Sequence, residues 1–273
     1  MIARRAVLAT PWALAAAPAR AAPAAEPWPL WERHDAASTA TIDHAPWGRF
    51  LATWRREAAD GIARLAYRAV GAAGSAALEA DIARLAVLPI SRFNRGEQFA
   101  YWVNLYNALT VLTVLRHYPV ASIRDIAISP GWFSSGPWGA KLVEVQGTAL
   151  SLDDIEHRIL RPIWRDPRIH YVVNCAALGC PDLPAAALTA ANREAMLDAA
   201  ARRFVNHRRG AEIDGGRLIV SSIYVWFRSD FGPTPADLVQ HLRLYARPDF
   251  YTALAQIRQA SADRYDWALN DGT

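Results

Sequence analysis

Apolar positions recur at helical spacing through much of the first half of the chain. Pro46 to about Asp60 is predicted as one helix, and Ile62 to Val70 repeats apolar residues every three or four positions. Ser75 to Leu88 is cleaner, with Leu78, Ile82, Leu85 and Val87 on one face and Pro89 ending it. Asn94-Arg95-Gly96-Glu97 reads as a capping box, Asn94 as N-cap and Glu97 at the third helical position. The stretch Gln98 to Leu115 that follows carries no charge and reaches the lower length limit of a membrane helix. It also holds Gln98, Asn104, Asn107, Thr110 and Thr113, which are costly in lipid. A helix buried in a folded core is expected instead, stopping near His117-Tyr118-Pro119.

The pattern then changes. Ser129 to Gly139 is a loop by its Gly, Pro and Ser content, and it carries Trp132, Phe133 and Trp138. Leu142 to Gln146 alternates as a strand does, with Gly147 turning into Thr148-Ala149-Leu150. Ser151-Leu152-Asp153-Asp154 is a second N-cap signature, opening a helix through Leu160 that Pro162 limits. Ile169 to Asn174 is a short β-rich run, and Ala190 to about His207 is a helix. Ile213 to Val220 forms a hairpin across Gly215-Gly216. The remainder is read as helical again, with Thr234 as an N-cap. The sum is an α+β chain, mostly helical with a small antiparallel sheet. It is one domain over residues 45–270, behind a leader at 22–44.

Composition adds a compartment. Met1 to Ala21 pairs Arg4 and Arg5 with a mildly apolar stretch and ends in Ala19-Arg20-Ala21, the layout of an export signal by the secretory or twin-arginine route. A periplasmic or extracellular location is therefore expected, with no membrane span once the signal is removed. The chain is 52% hydrophobic and 21% charged, an ordinary globular balance. Its net charge is +4, but without the three arginines of the signal 27 basic residues face 26 acidic ones. That near-neutrality argues against nucleic acid as a partner. A small-molecule or peptide ligand is expected instead.

Three clusters can carry chemistry. Asn104 and Asn107 share a helix face, so two buried amides must meet something polar: a ligand, or the backbone of a neighbouring loop. Glu156 and His157 are adjacent and diverge by about 100° on a helix, so they do not pair with each other. His157 is a candidate general base, or a histidine tied to a loop. The third cluster, His170-Tyr171-Val172-Val173-Asn174-Cys175 to Cys180, puts a histidine, an asparagine and both cysteines of the chain where a strand runs into a loop.

In order and spacing, the stretches Phe99–Leu109, Ser151–Arg161, His170–Leu183, Ala200–Asn206 and Ser222–Phe231 resemble the domain of unknown function 547 family. The resemblance spans roughly Leu78 to Phe231. It implies an exported bacterial α+β domain and no particular activity.

The residues leave two readings open. In the first, Cys175 is the nucleophile of a thiol-dependent hydrolase or acyl transferase acting on an envelope peptide or amide. His157 is then its base, with Glu156, Asp154 or Asn174 orienting that base. His170 is a weaker base candidate, because on a regular strand it faces away from Cys175. Asn104 and Asn107 would donate to an oxyanion. The loop with Trp132 and Trp138 supports a binding module instead, its aromatics stacking on a sugar ring or peptide or folding down on the core. In the second, Cys175 and Cys180 form a structural disulfide in a non-catalytic binding module, as a close pair in an exported protein suggests. No cofactor is called for, and no metal, because the Cys/His spacing fits no standard zinc pattern.

Overall fold

The computed structural model describes residues 23–131 and 135–272. The proposed signal, residues 1–21, and Trp132 lie outside the described residues. The chain is a mostly helical α+β domain. α1 (Ala45–Trp54), α2 (Tyr67–Ala86) and α3 (Arg95–His117) pack in sequence. Between α1 and α2 lie β1 (Arg55–Glu57) and β2 (Ala63–Leu65), an antiparallel hairpin where the periodicity alone suggested helix. The cause is Asp60-Gly61. The Asp60 carboxylate accepts the Ile62 N–H at 3.0 Å and Gly61 sits at φ +76°, which together turn the chain.

α3 has no polar face. Residues Glu97 through Val114 are all buried, as expected of a helix wrapped on every side by its own fold. Asn94 caps it, accepting the N–H groups of Gly96 and Glu97 at 3.0 and 3.1 Å. Glu97 does not complete the capping box. Its carboxylate accepts the Ile42 N–H at 2.9 Å and ties the chain ahead of α1 to the helix start. Trp31 and Ile42 are buried, so part of the segment that resembles a leader belongs to the core. Among the described residues, no helix is long and apolar enough to cross a membrane.

β3 (Val143–Val145) and β4 (Thr148–Leu150) form the expected hairpin. The helix that follows is wound as a π-helix over Asp154–Leu160 and continues as α4 (Arg161–Trp164). The run Ile169 to Asn174 is not a strand. Pro167–Tyr171 is a 3-10 turn, because Pro167 opens it and the Asp166 carboxylate caps the Arg168 N–H at 2.9 Å. α5 (Arg193–Val205) leads to β5 (Ala211–Asp214) and β6 (Arg217–Ser221), joined across Gly215-Gly216 at φ +54° and +76°. α6 (Ile223–Trp226), α7 (Pro235–Tyr245, with Thr234 and Asp237 as a capping box) and α8 (Pro248–Ala253) follow. The chain then leaves helix altogether: β7 (Ala262–Arg264) runs parallel to β6.

Two apolar cores result. One gathers Trp47, Leu85, Trp102, Leu105 and Ile155, the other Phe204, Val220, Tyr224 and Leu242. Immediately before the cysteine loop, Tyr171 reaches into the second core while its neighbours Ile169 and Val172 belong to the first.

His44, just ahead of α1, is buried with both ring nitrogens unpartnered among the described residues. Burial lowers its pKa from 6.5 to about 4, with Arg84 adding to the effect and Asp43 opposing it. The folded state thus resists protonating this ring, and stability is lost as pH falls from 6.5 toward 4. His44→Leu is expected to unfold at higher denaturant than the parent at acidic pH, with the gain shrinking above neutrality. Denaturant titrations across that pH range check it.

Candidate functional site

The cysteine loop is built on buried amides. Asn107 in α3 accepts the Asn174 N–H at 2.8 Å and donates to the Val172 carbonyl at 2.8 Å. Asn174 donates to the Pro181 carbonyl at 2.7 Å and accepts the Ala176 N–H at 2.8 Å, closing the loop on itself. It also receives Asn270 at 3.3 Å, and Asn270 in turn accepts the Tyr67 hydroxyl at 3.0 Å. Asn104, one turn earlier, exchanges two bonds with the Leu188 backbone at 2.9 and 3.0 Å. Of the two partners open to these amides, both met loop backbone. Their donors and acceptors are already engaged, which leaves them positioning groups rather than ligand groups.

The C-terminal segment clamps the loop from outside. Leu178 and Gly179 N–H groups donate to Ala268 and Asp266 carbonyls at 2.8 Å each, and Asn270 N–H to the Ala176 carbonyl at 3.0 Å. This pairing requires glycine at 179, where a Cβ would lie 2.7 Å from Asp266 N and 3.0 Å from the Tyr265 ring. Ala176 adopts φ +59°, an uncommon conformation for a residue with a side chain, held by bonds on both sides.

Within this frame the two thiols are unbonded, with their sulfurs 2.9 Å apart. Cys175 keeps some exposure, whereas Cys180 is buried. The Tyr265 hydroxyl lies 3.0 Å from Cys175 Sγ, and the Cys175 N–H points at Cys180 Sγ at 3.0 Å. The pair is electrostatically unequal. Hydrogen bonding from Cys180 lowers the Cys175 thiol below its ordinary value, against burial, with Tyr265 and the Ala177 N–H helping and the Glu156 charge opposing. Cys180 moves the other way, raised first by burial and then by its bond to Cys175 and the charge there. Burial and the cysteine charges also push Tyr265 up, so it stays a proton donor.

The expected histidine base is elsewhere. Among the described residues no histidine nitrogen lies within hydrogen-bonding reach of Cys175 Sγ. His157 Nδ1 faces Arg161 at 3.1 Å and its Nε2 lies 3.6 Å from Asp153. Its pKa is lowered by burial, which Glu156 only partly opposes. His170 sits in a neighbouring ionic cluster, its Nε2 2.7 Å from Asp230 and its Nδ1 3.6 Å from Glu156. Arg161 grips Asp230 through two bonds of 2.6 and 3.0 Å, and Tyr106 donates to Glu156 at 3.0 Å. Burial alone would raise the Asp230 carboxyl. The bonds from His170 and Arg161 outweigh it and hold Asp230 well below the carboxylate range. Phe227 stacks on His170 at 4.2 Å. This cluster brings Glu156, His157 and His170 together, but not onto the sulfur.

Its outer wall is the segment after the proposed signal. Pro162 has no N–H for the carbonyls four and five residues back, those of Arg158 and His157. The π-helix turn also diverts the Arg161 N–H to the Glu156 carbonyl. Trp28 and Glu26 N–H groups supply the missing donors at 3.2 and 3.0 Å, and Arg158 lies over the Trp28 ring at 4.0 Å. Arg161 reaches the Pro23 carbonyl at 2.7 Å.

Sequence reasoning missed Tyr265, Asp230 as a partner of His170, and Asn270. The available signal was the alternation Asp263-Arg264-Tyr265-Asp266-Trp267, which is extended rather than helical in period. Trp138, expected at a ligand, does border this region, with its ring 5.8 Å from Trp267.

Residues 90–205 match the model of a family described only as protein of unknown function, DUF547, and this stretch of the chain belongs to that family. The match takes in α3, the π-helix, the cysteine loop and α5. Asp230, Tyr265 and Asn270 lie beyond it. No curated protein matches the chain, and neither does any solved structure.

Two substitutions test the architecture. Glu26→Pro removes one of the two borrowed donors and is expected to cost about 1 kcal/mol. Hydrogen exchange should show the Trp28 amide losing protection with it. Gly179→Ala is expected to push Tyr265 off the sulfur and cut the Cys175 thiolate fraction several-fold at neutral pH, read from ultraviolet thiolate absorbance.

Proposed function

We propose that this protein is an exported thiol enzyme whose reaction is dithiol–disulfide exchange, with Cys175 attacking and Cys180 resolving. The observation that carries the proposal is the asymmetry of the pair: a partly exposed thiol with lowered pKa lies 2.9 Å from a buried thiol with raised pKa. Exchange requires an accessible thiolate and a second thiol nearby, without a histidine base. Acyl transfer, the other reaction open to Cys175, needs donors waiting for an oxyanion. Around this sulfur the N–H groups of Cys175, Ala176, Leu178, Gly179 and Cys180 are already spent on protein acceptors, and the Ala177 N–H is turned to the Cys175 sulfur itself.

The Cys175 thiolate attacks one sulfur of a substrate disulfide. That S–S bond breaks, a mixed disulfide forms, and the other substrate sulfur leaves as a thiolate that takes a proton from water. The charge on Cys175 is now gone. Two causes of the raised Cys180 pKa, its bond to Cys175 and the Cys175 charge, go with it, while the Cys175 N–H and Tyr265 remain to stabilise a Cys180 thiolate. Cys180 loses its proton to water and attacks Cys175 Sγ. The mixed bond breaks, the Cys175–Cys180 bond forms, and the substrate sulfur leaves. Two electrons pass from the protein to the substrate, and an external dithiol must return them.

The test is trapping with a cystine-containing peptide. Cys180→Ser should accumulate a stable mixed disulfide at Cys175, seen by intact mass without reductant. Cys175→Ser should form none. Labelling at neither cysteine, with both locked together until reductant is added to the native protein, would favour the binding module with a structural disulfide. Turnover of amide or ester substrates without mixed disulfide would favour acyl transfer. The amino-terminal residue of the purified mature chain tests export, with Ala22 expected.

A further inference from the structure

Beside Cys175 the chain assembles aromatic rings that neither core consumes. Tyr265, whose hydroxyl touches the sulfur, packs against Trp267 at 4.6 Å and Trp226 at 4.8 Å between ring centres. Trp226 stacks on Trp267 at 5.5 Å with an interplanar angle of 26°, and Trp138 meets Trp267 edge-on at 5.8 Å. All four residues are only partly buried. Trp138 and Trp267 lean on one core, Trp226 and Tyr265 on the other, so the rings lie along the seam between the cores. The exposed Arg124 guanidinium lies over the Trp267 ring at 5.2 Å, and it has no ion-pair partner among the described residues. Three tryptophans and a tyrosine, each partly exposed, thus form one continuous aromatic cluster joined to the reactive sulfur through Tyr265. Rigid aromatic surface of this kind is what binds extended chains.

The occupant must carry a disulfide if Cys175 works as proposed above, and this inference rests on that reading. Depressions of about 260 and 240 Å³ lie elsewhere on the surface, lined by Tyr224, Arg228 and Leu238 in one and by Arg55, Asp182 and Met196 in the other. Neither is lined by Cys175. The partly exposed edges of the aromatic rings offer apolar surface against which an extended chain can lie. Arg124 at its edge complements a carboxylate.

We propose that Trp138, Trp226, Trp267 and Arg124 form the substrate-binding wall of Cys175. Its substrate is an extended cystine-containing peptide segment with an aromatic side chain and an acidic residue flanking the half-cystine. Trp226 and Trp267 take the aromatic ring by stacking, and Arg124 takes the acid. The wall thereby selects peptide disulfides over small ones that have no ring to stack.

The experiment compares three cystine peptides of equal length under single-turnover conditions. One carries Trp and Asp beside the half-cystine, one Ser and Asp, and one Trp and Lys. The parent protein is expected to reduce the Trp/Asp peptide about tenfold faster in kcat/KM than the Ser/Asp peptide, and faster than the Trp/Lys peptide. Trp226→Ala and Trp267→Ala should erase the first preference, and Arg124→Ala the second. Circular dichroism should show all three variants folded, and each preference is read as a ratio of rates within one variant, so that any change in Cys175 reactivity common to the peptides cancels. A second reading uses the same peptides with Ser in place of Cys: quenching of tryptophan fluorescence should report binding of the Trp/Asp peptide to the parent and not to the variants. Equal rates for all three peptides, or a preference that survives the tryptophan substitutions, overturns the wall while leaving exchange standing. No exchange with any peptide overturns the exchange reading and the wall with it.

Discussion

The buried contact between Asn107 and the Asn174 backbone is the constraint on which the site depends. α3 is buried all round, so an amide in its interior has to be satisfied by something brought to it. What is brought is the Val172 carbonyl and the Asn174 N–H, at 2.8 Å each. That fixes where Cys175 begins. Asn174 then closes the loop from within, and Asn270 secures the C-terminal segment against it. Removing either amide would strand buried donors and acceptors, so the register of the loop is set by a small number of costly alternatives.

From that register the chemistry of the sulfurs follows. A loop held this tightly places Cys180 against Cys175 and leaves Tyr265 only one position, above the sulfur, because Gly179 lets the C-terminal segment approach backbone to backbone. Burial by itself would raise both thiols. The contact between the two sulfurs splits the pair, lowering Cys175 and raising Cys180, and on the proposed reading the split gives one cysteine the attacking role and the other the resolving one. The ionic cluster of Glu156, His170, Arg161 and Asp230 stands beside this pair as a separate buried construction. It is closed on the outside by a segment whose N–H groups answer the carbonyls that Pro162 leaves open.

Much of the frame was legible in the sequence. The continuous apolar run of α3, the Asn94 and Thr234 caps, the Gly147 and Gly215-Gly216 turns and the importance of the Asn174–Cys180 stretch all follow from local rules. The Asp60-Gly61 turn was present as a signal but was outweighed by helical periodicity on both sides. The 3-10 turn at Pro167–Tyr171 was hidden behind β-branched composition, although Asp166-Pro167 marks it. The partners of the sulfur were least legible. Tyr265 lies 90 positions from Cys175, and nothing local to either residue announces the contact. His157 and His170 looked like bases by residue type, yet their ring nitrogens are aimed at Arg161, Asp153, Asp230 and Glu156. Only tertiary geometry decides such aims.

Hydrogen-bond donors, not a histidine, lower the Cys175 thiol. The measurement that bears on this is the pH dependence of Cys175 alkylation in the reduced native protein, followed by intact mass in the parent and in Tyr265→Phe. A titration below the ordinary thiol range of about 8.5 is expected, moving upward when the tyrosine hydroxyl is removed. A profile at or above the ordinary range in the parent, or one that Tyr265→Phe leaves in place, would overturn it.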